Sequence, residues 1–351
     1  MIINSGKNIL KTGCIILAGC IVLSASGCSQ IAKIVNKSSS DDKKLEDIME
    51  NKKCGDNAEY TLDSSGTLTV SGSGEIYDAD DYLHGWAFHK DEIKKIVIES
   101  GITSVGDGAF GDCNVEELVL PDTVTHIGDF AFTGCDRLKS ADIPKAVKYI
   151  GVECFMNCET LESVNIQGSI ERIPSGAFKN CLKIKSVKIP DTVKSIGANA
   201  FFSCYELSEL NVPPKLEKIE ESAFYYCTSL KTFDLPDTVF ELGEMVFNSC
   251  KSLKRINIPS KVQSLGTSAF IGCLALESVK LEEGLKSIGD GAFSSCTAVK
   301  EIITVPSSVT VIESGAFGKW TAEQTIIVKG KSSAPSEWAS EWSGNAKVIW
   351  N

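Results

Sequence analysis

Cysteine is the residue type with the most chemistry to offer in this chain, with fourteen in 351 residues. Nine of them (Cys113, Cys135, Cys158, Cys181, Cys204, Cys227, Cys250, Cys273 and Cys296) each stand three residues after a phenylalanine. Many exposed cysteines in an oxidising compartment would form a disulfide framework. Strict equivalence of position points elsewhere. Each fills the same apolar slot behind a Phe, and Cys is among the most buried residue types. Thiols stacked one above another have parallel Cβ vectors, which is poor geometry for bridging. We read them as buried free thiols, with disulfides as the alternative. Cys154 lies four residues before Cys158, and a pair at that spacing is at most half of a metal site. Histidine occurs only as His84, His89 and His126, none spaced to pair with a nucleophile or metal partner. No Gly-x-Ser-x-Gly elbow stands between a strand and a helix, and Gly72-Ser73-Gly74 reads as a turn. No enzyme activity, cofactor or metal is expected.

The elements that carry these cysteines repeat. Phe110, Phe132, Phe155, Phe178, Phe201, Phe224, Phe247, Phe270, Phe293 and Phe317 are spaced by 22 residues, then by 23 seven times, then by 24. A fixed period of this size marks a solenoid. In the unit from Leu253, the side chains of Leu253, Ile256 and Ile258 point inward on a short strand, with Arg255 and Asn257 outward. Pro259 ends the strand. Val262 and Leu265 belong to a second extended segment. Ala269, Phe270 and Cys273 have the spacing of one helical turn on the opposite wall. Gly106, Gly128, Gly151, Gly197, Gly243, Gly266 and Gly289 close the second segment, but Pro174, Glu220 and Glu313 hold the same slot elsewhere. Proline fixes φ near −65°, so the slot needs no left-handed residue, and Gly there eases a tight corner.

The pattern Leu-x-x-Val-x-Ile-Pro-x-x-Val-x-x-Ile-Gly-x-x-Ala-Phe-x-x-Cys resembles the BspA-like leucine-rich repeats of bacterial surface proteins, over residues 92–320. That resemblance implies a leucine-rich-repeat solenoid with a parallel sheet on the concave face and short helical turns on the convex side. Residues 54–91 resemble the family's β-rich N-terminal cap, and 321–351 its C-terminal cap. Caps are required physically, because outermost coils expose core. Trp320, Trp338, Trp342 and Trp350 cluster at the end and are read as a plug; exposed, they would stack sugars.

Residues 1–27 read as an export signal: Lys7 and Lys11 precede an apolar run, Gly13 to Leu23, too short to span a membrane comfortably. The following Leu23-Ser24-Ala25-Ser26-Gly27-Cys28 resembles a lipoprotein processing box, which implies lipidation of Cys28 and anchoring in the bacterial envelope, facing outward. Ala25 departs from the commoner Leu. Residues 28–53, rich in Lys, Asp and Ser, are expected to form a flexible stalk of about 25–30 Å. A hydrophobic fraction of 43% argues against disorder in the rest. The net charge of −11, with Arg137, Arg172 and Arg255 as the only arginines, argues against nucleic acid.

Two outward columns are the candidate ligand face. The first runs Lys95, Glu117, Ser140, Ser163, Ser186, Glu209, Thr232, Arg255, Ser278 and Glu301. The second runs Val97, Val119, Asp142, Asn165, Lys188, Asn211, Asp234, Asn257, Lys280 and Ile303. They are polar, of mixed sign and free of aromatic rings, as in a solvated sheet face or one that hydrogen-bonds a protein or glycan. The family likeness implies recognition or adhesion, to a host or neighbouring-cell protein, with an envelope-tethered glycan-binding module as the alternative.

Overall fold

The computed structural model describes Ile48, residues 51–79 and residues 83–351. The export signal, Cys28 and nearly all of the expected stalk lie outside the described residues. The chain enters through an antiparallel hairpin of β1 (Asn57–Leu62) and β2 (Thr67–Glu75). β2 is long enough to start two parallel ladders. Its first half pairs with β3 (Lys95–Ile98), and Gly74 and Glu75 at its end pair with β4 (Ile102–Val105).

Each later coil repeats that division. One ladder stacks the strands Ser140–Ile143, Ser163–Ile166, Ser186–Lys188 and Glu209–Leu210 in parallel. The other stacks two-residue strands, such as Arg172–Ile173, Ser195–Ile196, Lys218–Ile219 and Glu241–Leu242. Inward residues alternate with outward ones, as the period-two pattern requires. In Arg255–Ile258, for example, Ile256 and Ile258 are buried while Arg255 and Asn257 are exposed. Two places break the regularity. No strand forms at Lys231–Leu235, where Phe233 fills the inward slot and meets Phe224 and Phe247 edge-on, each at 5.0 Å. Further on, the 24-residue interval shifts the alternation. Ile303, expected to face outward, is fully buried, while Ile302 is 57% exposed and Thr304 lies between the buried Ile303 and Val305. The extra residue delays the alternation by one position, so that Ile303 and Val305 take the inward slots of Val279 and Leu281 one coil earlier, and Ile312 pairs in register with Ile288.

The wall opposite the strands is not helical, contrary to the expected helical turns. Ala269, Phe270 and Cys273 are buried together as their spacing requires, but the backbone takes another path. Two residues per coil, two before and two after the Phe, have positive φ; Asn199 and Ser203 flank Phe201, and Ser268 and Gly272 flank Phe270. This alternation turns every second N–H along the solenoid axis. Asn199, Phe201 and Ser203 donate to the carbonyls of Glu221, Ala223 and Tyr225 in the next coil, at 2.8–2.9 Å. The N–H groups between them close turns within the coil, as Ala200 does to Gly197. An α-helix would spend those donors internally. Here half of them hold one coil to the next.

The core is a stack of rings. From Trp86 through the ten phenylalanines to Phe317, successive centroids are 5.1–5.9 Å apart and nearly parallel. At the start, Trp86 is fully buried, stacks on His84 at 4.1 Å and meets Tyr60 edge-on. At the finish, Trp320 and Trp342 turn their edges to Phe317, and Trp338 packs on Trp342. Strands Thr325–Val328 and Lys347–Trp350 extend the ladder beyond the last Phe.

Candidate functional site

The outward columns are assembled in register. Lys95 pairs with Glu117, Asn165 with Asp142 on one side and Lys188 on the other, and Arg255 with Ser278, each as laddered neighbours. Several of these side chains are already occupied by each other. Lys95 Nζ lies 2.7 Å from Glu117 Oε1. Asn165 Nδ2 donates to Asp142 Oδ1 at 2.9 Å. Arg255 donates through Nε and Nη2 to Asp234 at 3.2–3.3 Å. Lys280 forms an ion pair with Glu282. Exposed pairs of this kind contribute little to stability, about 0–1 kcal/mol each. They do fix where charge of each sign stands along the face.

Asn211 belongs to the fold. Its Oδ1 accepts from the Ile189 N–H at 2.8 Å and its Nδ2 donates to the Ile189 carbonyl at 2.6 Å. The amide thus stands in for a strand where the ladder is about to break. Lys188 and Asn257 are exposed and make no side-chain hydrogen bond or ion pair among the described residues, so a ligand would meet them unencumbered. Flanking the columns, the Lys185 ammonium beside Glu162 holds that carboxyl below its usual range. The same contact raises Lys185. Glu241 does likewise to Lys218.

The eleven cysteines of the described residues are free and buried. Sequence reasoning missed what their sulfur atoms do. Each thiol from Cys135 to Cys296 at the repeat position donates to the carbonyl of the Phe one coil back, at 3.1–3.4 Å. Trp320, which replaces Cys in the last coil, directs its indole N–H to the equivalent carbonyl of Phe293 at 2.9 Å. Conservation of donor chemistry through a change of residue type marks the contact as a requirement of the coil. Burial drives thiols away from the reactive thiolate: Cys54 is pushed up to about 12, and Cys181, Cys204 and Cys227 of the ladder also rise. Among the described residues, no group of three or more His, Cys, Asp or Glu could hold a metal ion.

The corner glycines are explained by proximity between coils. A β-carbon on Gly151 would stand 2.3 Å from the Asp129 nitrogen, and one on Gly243 2.4 Å from that of Glu221. None of the seven has positive φ. Trp338 and Trp342, the sugar-stacking candidates, are 6% and 4% exposed.

The repeat model of the BspA-type leucine-rich repeat region, in six copies, matches residues 83–208 and 194–323, more than half of the chain. This chain belongs to the BspA-type leucine-rich-repeat family. Among solved structures, the BspA-type array is similar to a leucine-rich repeat protein from Bacteroides ovatus, 22% identical with a TM-score of 0.52, covering 84% of this chain and 99% of that one. A leucine rich cell surface protein from Faecalibacterium prausnitzii is 19% identical over 84% and 93% of the two chains, with a TM-score of 0.39. The pneumococcal vaccine antigen PcpA is 16% identical over 84% and 98%, with a TM-score of 0.45. At these identities the likeness is one of fold. No curated protein matches the chain in sequence.

Proposed function

We propose that this BspA-type protein is a non-catalytic recognition or adhesion protein, exported and held to the bacterial envelope through lipid on Cys28, with its solenoid facing outward. Its partner on this reading is a protein of a host or neighbouring cell. The observation that carries it is the strand face: Asp142, Asn165 and Lys188, then Asn257 and Lys280, stand in register on successive coils. Ten coils at ~4.8 Å make a surface about 45–50 Å long, ample for the ~800 Å² per side of a standard protein interface. The tryptophan-closed ends act as caps that keep such an array soluble. Fold alone does not name a ligand. Burial of Trp338 and Trp342 leaves the alternative, an envelope-tethered glycan-binding module, without its tryptophans.

The test is capture of surface proteins by the full chain, wild type against Lys188→Glu with Lys280→Glu. Charge reversal is expected to abolish capture of a specific partner; capture unchanged by both substitutions would remove the strand face from consideration. For the anchor, Cys28→Ser is expected to release the protein from the membrane fraction and to abolish labelling by radioactive fatty acid.

A further inference from the structure

The strand columns are free of aromatic rings, and the opposite wall concentrates them. In the two coils centred on Phe201 and Phe224, positions on this wall hold Phe202, Tyr205, Tyr225 and Tyr226. The preceding and following coils place Lys179 and Asn248 where these coils have Phe202 and Tyr225. Phe202 and Tyr225 stack at 4.9 Å with planes 2° apart. Tyr226 stands perpendicular to Tyr225 at 4.6 Å, and Tyr205 lies 6.4 Å from Tyr226. Tyr205 and Tyr226 are 42% and 37% exposed.

Tyr226 is also in a conformation its residue type disfavours. Its φ is 62°, in a column where Asp112, Asn157, Asn180, Ser203 and Ser249 stand in other coils. Short polar side chains tolerate left-handed backbone; a bulky ring there is an outlier, and such outliers cluster at functional sites. Hydrogen bonds between coils nevertheless hold it fast. Tyr226 N–H donates to Asn248 at 2.9 Å, and the Tyr205 carbonyl accepts from Thr228 Oγ1 and from the Ser229 N–H. The rings are therefore presented on a rigid frame, which lowers the entropy cost of binding.

Charge selects the occupant. The rings meet one cation, Lys179, with Nζ 6.0 Å from the Phe202 ring, and the exposed Glu206 follows Tyr205 in the chain, so charge of the two signs is balanced at the cluster's edge. Anionic polymers are repelled by a chain of net charge −11. Cationic ones would meet Lys179 beside the Phe202 ring. Two coils at ~4.8 Å spacing offer far less than the ~800 Å² per side of a stable protein interface. What matches is a small neutral ligand with apolar C–H faces and many hydroxyls. Aromatic rings take the C–H faces, while the tyrosine hydroxyls take the ligand's hydroxyls.

We propose that Phe202, Tyr205, Tyr225 and Tyr226 form a carbohydrate site for neutral oligosaccharides, on the wall opposite the strands. It does not rest on the protein-binding reading of the strand face. The test is calorimetric titration of the full chain with maltohexaose, xylohexaose and N-acetylchitohexaose, and with polygalacturonate as an anionic comparison. At least one neutral hexamer is expected to bind, with affinity reduced tenfold or more in Tyr226→Asn and in Tyr205→Ser. Tyr226→Asn installs the residue type already present at Asn157 and Asn180, so its thermal midpoint is expected to equal or exceed that of the wild type. Binding of none of the neutral hexamers, binding unchanged in both variants, or tighter binding of polygalacturonate would overturn the assignment. So would sedimentation showing that the wild type self-associates and Tyr226→Asn does not.

Discussion

A thiol here is a hydrogen-bond donor with a fixed address. Cys204 Sγ donates to the Phe178 carbonyl at 3.1 Å from a fully buried position. That carbonyl also accepts from the Cys181 N–H at 3.1 Å, so Cys204→Ala removes one of two bonds and is expected to cost about 0.5–1.5 kcal/mol in denaturant unfolding. Cys204→Ser, which keeps a donor, is expected to cost less than Ala. Thiol reagents are expected to label the eleven buried cysteines only after unfolding; rapid labelling of the native protein would contradict the ladder. His84 shows the same logic with a titrating group. Burial, only partly opposed by the Tyr77 carbonyl 2.9 Å from Nε2 and by the charge of Asp78, lowers it from 6.5 to about 4. Between those values the unfolded state binds the extra proton, so stability rises with pH through that window. It is full above 6.5 and lost as pH falls toward 4, by up to about 3 kcal/mol. In His84→Gln, the slope of stability between pH 6.5 and 5 is expected to flatten; an unchanged slope would assign it to other groups.

Within a coil, most strand positions were legible in the sequence because alternation and Pro placement follow directly from the sheet, as Ile256, Ile258 and Pro259 illustrate. The turn wall was not. Apolar spacing at Ala269, Phe270 and Cys273 fits a helical turn equally well, since both paths bury the same three side chains. The discriminating signal was backbone, written in two columns of left-handed residues. One holds mostly Gly, Asn, Ser and Asp, but the other includes Phe130, Glu153 and Met245, which hide it. On the candidate face, most of the register was legible while occupancy was not: nothing in spacing told that Asn211 turns back onto Ile189, whereas the 24-residue interval before Phe317 already held the shift that turns Ile303 inward. The glycine corner can be tested alone. Gly151→Ala introduces a β-carbon 2.3 Å from the Asp129 nitrogen and the Gly128 carbonyl carbon. Overpacking against backbone is expected to cost about 1–3 kcal/mol, read as a lower urea midpoint with unchanged slope.

Across the whole array, coils touch only their neighbours, so damage should stay local. Phe201→Ala removes one ring from the stack between Phe178 and Phe224 and is expected to cost about 3–5 kcal/mol. Hydrogen exchange should accelerate in that coil and the two beside it while the Trp86 end keeps its protection; uniform loss would show an array that melts as one unit. The turn wall adds a further property. Because Asn199, Phe201 and Ser203 all donate toward the next coil, and each coil's upper surface offers the carbonyls its predecessor needs, every unit is a template for its own successor. A whole coil can be gained or lost by duplication or deletion of its coding segment with each seam still matched. The length of the array is then a heritable quantity that changes in steps of about one strand spacing, ~4.8 Å, independently of what any single coil displays.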